Sequence, residues 1–125
     1  MTKIHTHTHL YSEQFDLDRG VMMLRAKDAG ISRFFIPAID SSYTERMLDL
    51  EKQYPDDVFL MMGLHPTSVQ ANYKEELKLV KEWIDKRHFY AIGEIGIELK
   101  FNGQKKKNCQ SLFIAEKLLM KFLKF

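Results

Sequence analysis

The sequence predicts an α/β fold built on a parallel sheet. Three observations carry that expectation. Short apolar runs recur at intervals of about thirty residues. A segment with apolar residues at helical spacing follows each of the first three runs, and a further one closes the chain. The runs are continuous rather than alternating, as in strands covered on both faces.

Residues 3–10 read as the first strand, with β-compatible Ile4, Thr6, Thr8 and Leu10. Residues 17–29 read as a helix, apolar at Leu17, Val21, Leu24 and Ala26, with Gly30 as its stop. The run from Arg33 through Phe34, Phe35 and Ile36 to Ile39 is a buried strand. Ser41, Ser42 and Thr44 supply cap candidates for a helix reaching about Gln53. Tyr54-Pro55-Asp56-Asp57 is a turn. Residues 58–63 form the third strand, and Leu77, Val80, Trp83 and Ile84 mark a helix over residues 72–86. Residues 89–93 are the fourth strand, and residues 111–125 read as a last helix. Phe34, Phe35, Met61 and Met62 are expected in the core. Four such units fit a small open sheet or the first half of an eight-unit barrel, which needs ~250 residues. Periodicity alone does not choose between them.

Composition narrows the class. A chain of 125 residues is one domain's worth, and 45% apolar content can bury a sizeable core. A net charge of +2 excludes binding by bulk charge to nucleic acid or anionic membrane. The single Cys109 excludes an internal disulfide framework and reads as an ordinary helix residue. No apolar run approaches the ~18 residues of a membrane span. The N-terminus lacks the apolar stretch of a signal peptide, so a cytoplasmic protein is expected.

Charge is uneven along the chain. Residues 1–99 carry 12 basic and 16 acidic side chains, whereas residues 100–125 carry 7 basic and 1 acidic. The second segment includes Lys105-Lys106-Lys107 and contains no Tyr, Trp or Pro. Two regions are expected: residues 1–99, and a divergent basic helical tail over residues 100–125.

The residues that carry chemistry fall at strand ends. His7 and His9 are two apart, so an extended chain turns both imidazoles to one side, as two ligands of one metal require. His5 shares that side. Alternation with threonine inside a strand pattern sets the run apart from an affinity tag. His65, in Gly63-Leu64-His65-Pro66, follows the third strand, and Pro66 holds it extended. Glu94 follows the fourth strand in Gly93-Glu94-Ile95-Gly96. A carboxylate there is costly to bury unless it binds a metal or pairs. Parallel α/β folds build their sites at the C-terminal ends of strands, where all four residues lie.

Taken together, Thr6-His7-Thr8-His9-Leu10, Pro37-Ala38-Ile39-Asp40, Gly63-Leu64-His65-Pro66 and Gly93-Glu94-Ile95-Gly96-Ile97 resemble the TatD family of metal-dependent deoxyribonucleases. The resemblance runs from Lys3 to about Leu99. It implies the first four units of a TIM (β/α)8 barrel in the metallo-dependent hydrolase superfamily. It implies a centre of divalent metal ions (Mg, Mn or Zn; two in the complete family fold). His7, His9 and Glu94 would be metal ligands, and His65 would lie near the substrate phosphate. The implied activity is phosphodiester hydrolysis of DNA, with the metal activating water.

The chain also departs from the family pattern. His5 stands where the family usually has Asp, and Glu98 where it usually has Asp. Two further metal-binding histidines and a late aspartate are expected from later strands of the family. No His or Asp follows His88, so no catalytic residue for that late role is identified. The coincidence of the composition break with the end of the resemblance predicts a frameshifted or truncated product. Weak metal affinity, little nuclease activity and self-association through unpaired sheet edges are expected in consequence. The alternative is a non-catalytic metal- or nucleic-acid-binding α/β module, with the basic tail supplying the contact.

Overall fold

A computed structural model describes residues 1–96. The expected tail over residues 100–125, its helix, Cys109 and Glu98 lie outside the described residues.

Four strands alternate with three helices: β1 (Lys3–His5), α1 (Arg19–Asp28), β2 (Ile31–Ile36), α2 (Thr44–Gln53), β3 (Val58–Met62), α3 (Tyr73–Lys86) and β4 (Ala91–Ile92). Short 3-10 turns at Glu13–Phe15, Ser41–Tyr43 and Pro66–Ser68 lie in the connections that leave β1, β2 and β3. The sheet order is β1-β2-β3-β4, and every pairing is parallel. Gly30, at φ +89°, makes the turn from α1 into β2 that a side chain would strain. No helix among the described residues is long and apolar enough to cross a membrane.

Register sets the two faces of the sheet. Phe34 lies beside Val58 and Ile36 beside Leu60, all buried against the helices. Met23 of α1, Met47 and Leu50 of α2, and Leu77 and Val80 of α3 close that layer. Each large side chain buried there contributes about 1.5–3 kcal/mol. On the other face, the rings of Phe35 and Phe59 stack at 5.4 Å and Tyr90 meets Phe59 edge-on at 4.9 Å. Ile4 and Tyr90 are about half exposed there, at 51% and 49%.

This corrects two expectations. The strands are not covered equally on both faces: along β3, buried and half-buried residues alternate. Phe35 and Met61, expected in the core, lie on the less covered face and are only half-buried.

The strands are also shorter than their apolar runs. β2 stops at Ile36 because Pro37 has no N–H for the ladder. In a register that pairs His5 with Phe34, β1 reaches the level of Pro37 within a few residues. β1 ends at His5 instead of continuing to residue 10. β4 keeps only Ala91 and Ile92, because the Gly93 carbonyl and the Glu94 N–H bond to Ala38 instead of β3.

Candidate metal centre

The C-terminal rim of the sheet gathers residues from the segments that follow β1, β3 and β4. His7 Nε2 lies 3.0 Å and His9 Nε2 3.2 Å from Glu94 Oε2. His65 Nε2 lies 3.1 Å from Glu94 Oε1. The four singled-out residues thus meet around one carboxylate. His5 does not join them: it is exposed, and its Nδ1 lies 3.4 Å from the His7 amide.

Main-chain bonds hold Glu94. Gly93 N–H donates to the Met62 carbonyl at 3.0 Å, extending the ladder by one step. The chain then leaves β3 for the segment after β2. Ala38 N–H donates to the Gly93 carbonyl at 2.9 Å, and Glu94 N–H donates to the Ala38 carbonyl at 3.1 Å. Gly63 makes this crossing possible. A Cβ built on it would stand 2.7 Å from the Glu94 carbonyl oxygen and 2.8 Å from the Gly93 carbonyl carbon. Backbone therefore occupies the space of a side chain.

His65 is fixed from two sides. Its N–H donates to the Ile39 carbonyl at 2.8 Å. Its Nδ1 accepts from Thr67 N–H at 3.1 Å, capping the turn that Pro66 opens. An accepting Nδ1 leaves the ring proton on Nε2, the nitrogen that faces Glu94. His9 is half-buried, with Nδ1 3.0 Å from Tyr11 Oη and 3.2 Å from the Pro37 carbonyl. Burial pushes the His9 pKa below 6.5, outweighing the attraction of Glu94. The imidazole is therefore neutral near pH 7, as a ligand must be.

Two residues that sequence reasoning passed over shape the rim. Tyr11 is only 1% exposed, and burial pushes its hydroxyl well above the usual phenol range. Its spacing of two from His9 was the available signal. Glu76 of α3 is also buried and accepts from Ser41 N–H at 2.9 Å and Ser41 Oγ–H at 2.6 Å. No sequence signal linked it to a serine 35 positions away. Asp40, part of a quoted motif, accepts from Ser42 N–H at 3.0 Å and from Ser68 Oγ–H at 2.9 Å. It ties the segments after β2 and β3 together and stays outside the cluster of ligand atoms.

The donor set suits a divalent cation. One ligand atom each from His7, His9 and Glu94 lies within 4.8 Å of the others. Glu94 Oε2 is buried and, despite the two nearby imidazoles, makes no hydrogen bond of acceptable geometry. An orphaned buried acceptor costs about 1–3 kcal/mol, and more when charged. A cation between the two imidazoles and this oxygen removes that cost. Two nitrogens with one carboxylate oxygen fit zinc or manganese better than an all-oxygen ion.

The family described as TatD related DNase matches residues 4–119. The chain belongs to that family. The matched span passes Leu99, where the motif-by-motif resemblance had stopped, so part of the tail region aligns with TatD proteins as well. Among relatives, the metal-dependent hydrolase YabD of Bacillus subtilis is 28% identical over 108 residues, covering 86% of this chain and 42% of YabD. The 3'-5' ssDNA/RNA exonuclease TatD of Erwinia tasmaniensis is 29% identical over 94 residues, covering 75% of this chain and 36% of its own. The crystal structure of YjjV, a TatD homologue from Escherichia coli K12, superposes with a TM-score of 0.81 at 26% identity. That superposition covers 95% of this chain and 47% of YjjV. The chain thus spans less than half the length of these relatives. Its four parallel strands with their helices form a half-barrel of the TatD type.

Proposed function

We propose that the chain binds a divalent metal ion through His7, His9 and Glu94 and, as a TatD-type hydrolase in the cytoplasm, cleaves DNA phosphodiesters weakly. One observation carries the reading. Two imidazole nitrogens converge on a buried carboxylate oxygen that makes no hydrogen bond. Names among the relatives, metal-dependent hydrolase and ssDNA/RNA exonuclease, support it.

A bound divalent ion supplies Lewis acidity, which polarises a phosphodiester and generates the attacking nucleophile. The chain's own residues do the rest. Glu94 brings the negative charge that fixes the cation, on a backbone held by Ala38. His65 carries its proton on Nε2, so it can donate to a phosphate oxygen in place of Glu94 Oε1. Among the described residues, three ligand atoms, from His7, His9 and Glu94, are grouped to hold such an ion.

The test is a calorimetric titration of the full chain with Mn²⁺ or Zn²⁺, followed by single-stranded DNA cleavage with each metal. Binding that disappears in Glu94→Gln, with slow cleavage abolished by chelator, is the expected result. No binding by the wild-type chain sinks the reading. Binding without any cleavage sinks its catalytic half and favours a metal-binding module instead.

A further inference from the structure

We propose that Tyr11 is a positioning residue that holds His9 as its Nδ1–H tautomer, so that Nε2 offers a lone pair to the metal. The inference rests on the metal-centre reading and adds a specific role for a residue outside the ligand set.

Donor logic carries the argument. The Tyr11 hydroxyl lies 2.7 Å from the Pro37 carbonyl oxygen. A carbonyl cannot donate, so the hydroxyl proton points to Pro37. The Tyr11 oxygen therefore presents lone pairs to its other neighbour, His9 Nδ1, at 3.0 Å. The same Nδ1 lies 3.2 Å from the Pro37 oxygen. A bare Nδ1 would face two acceptors at once. A protonated Nδ1 donates to both.

The other ring nitrogen faces the carboxylate. The opposite tautomer would carry a proton on Nε2, which lies 3.2 Å from Glu94 Oε2. That carboxylate oxygen accepts no hydrogen bond of acceptable geometry. A proton on Nδ1 leaves the Nε2 lone pair on the side of the carboxylate, where a cation would sit. Metal-binding histidines characteristically donate their other ring N–H to a carbonyl or carboxylate. Here a phenol and a carbonyl share that task.

Tyr11 is itself fixed. Arg46 of α2 donates from Nε to the Tyr11 carbonyl at 2.7 Å. Arg46 also pairs with Asp16, which takes a second bond from Arg19 of α1 at 2.6 Å. The Tyr11 ring packs on Tyr43 at 5.5 Å between centroids. Two helices thereby pin the segment that carries His9.

Two readouts on the ¹⁵N-labelled full chain test the proposal. NMR correlation of the ring nitrogens reports the His9 tautomer without metal, and a Zn²⁺ titration reports affinity. Wild type is expected as Nδ1–H. Tyr11→Phe keeps the ring, and its His9 is expected to shift toward Nε2–H with roughly tenfold weaker Zn²⁺ binding. Tyr43→Phe removes a neighbouring hydroxyl that does not touch His9, and should change neither readout. An Nε2–H tautomer in the wild type overturns the proposal outright, whether or not any variant folds. So does a Tyr11→Phe chain with unchanged tautomer and unchanged affinity. A wild type that takes up no Zn²⁺ sinks the metal reading, and the tautomer still decides the role of Tyr11.

Discussion

The helix-facing side of the sheet and its C-terminal rim are held together in different ways. Beneath the helices, Phe34, Ile36, Val58, Leu60 and Met62 interlock with side chains from all three helices. Stability there is a matter of apolar volume. At the rim, the bonds that place Glu94 and His65 are main-chain bonds to Ala38, Met62 and Ile39. Position there is a matter of backbone approach. The comparison teaches that fold and site can be damaged separately.

The largest separation is expected from Leu60→Ala. Leu60 is fully buried at the centre of β3. Its truncation should cost about 2–5 kcal/mol in urea unfolding while metal affinity per folded molecule stays the same. An equal loss of affinity would erase the distinction. Gly63→Ala is the converse. The new methyl meets backbone atoms within 2.8 Å, so the Gly93–Glu94 segment must move. Metal affinity should fall by about ten- to a hundredfold, the size of effect seen when the support of a metal ligand is disturbed. Titration calorimetry with a parallel thermal melt would show whether the site suffers more than the fold.

A smaller effect follows from pH. The pKa of His9 lies below 6.5 in the folded chain because of burial. As pH falls through that value, the unfolded chain takes up a proton that the folded chain refuses. This contribution is therefore present above pH 6.5 and is lost as acid is added. Urea midpoints of the metal-free chain should be lower at about pH 5.5 than at about pH 7.5, and the difference should shrink in His9→Gln. A midpoint that rises in acid contradicts it.

The smallest effect concerns a pair remote from the rim. Arg87 and Glu51 form two bonds of 2.7 Å, and both side chains are partly exposed. Arg87→Lys breaks the bidentate geometry and should cost at most about 1 kcal/mol, with metal binding unaffected. Chemical denaturation of both chains at low and high salt checks this.

Much of this organisation was legible in the residue pattern. Apolar runs marked where β2, β3 and β4 lie, and helical spacing marked α2 and α3 almost to the residue. His7, His9, His65 and Glu94 stood out because costly groups followed apolar strands. What stayed hidden depends on partners distant in sequence. The end of β1 depends on its pairing with β2, where His5 lies beside Phe34. The exclusion of His5 depends on where the ladder releases the chain, which its spacing from His7 does not reveal. Likewise Tyr11 acts through the Pro37 carbonyl, 26 positions away, and a tyrosine beside a strand gives no hint of that bond. The basic tail over residues 100–125 lies outside the described residues.

The backbone packed over Gly63 sets what kind of change the rim can absorb. Because atoms common to every residue carry the carboxylate across to Ala38, peptide count matters there more than side-chain identity. Swapping an exposed rim side chain leaves the crossing intact. Adding or removing a single residue between Met62 and His65 shifts the whole frame and separates the imidazoles from Glu94. In redesign, loop length and the glycine at position 63 are what to preserve, and the exposed lettering around them is free to vary.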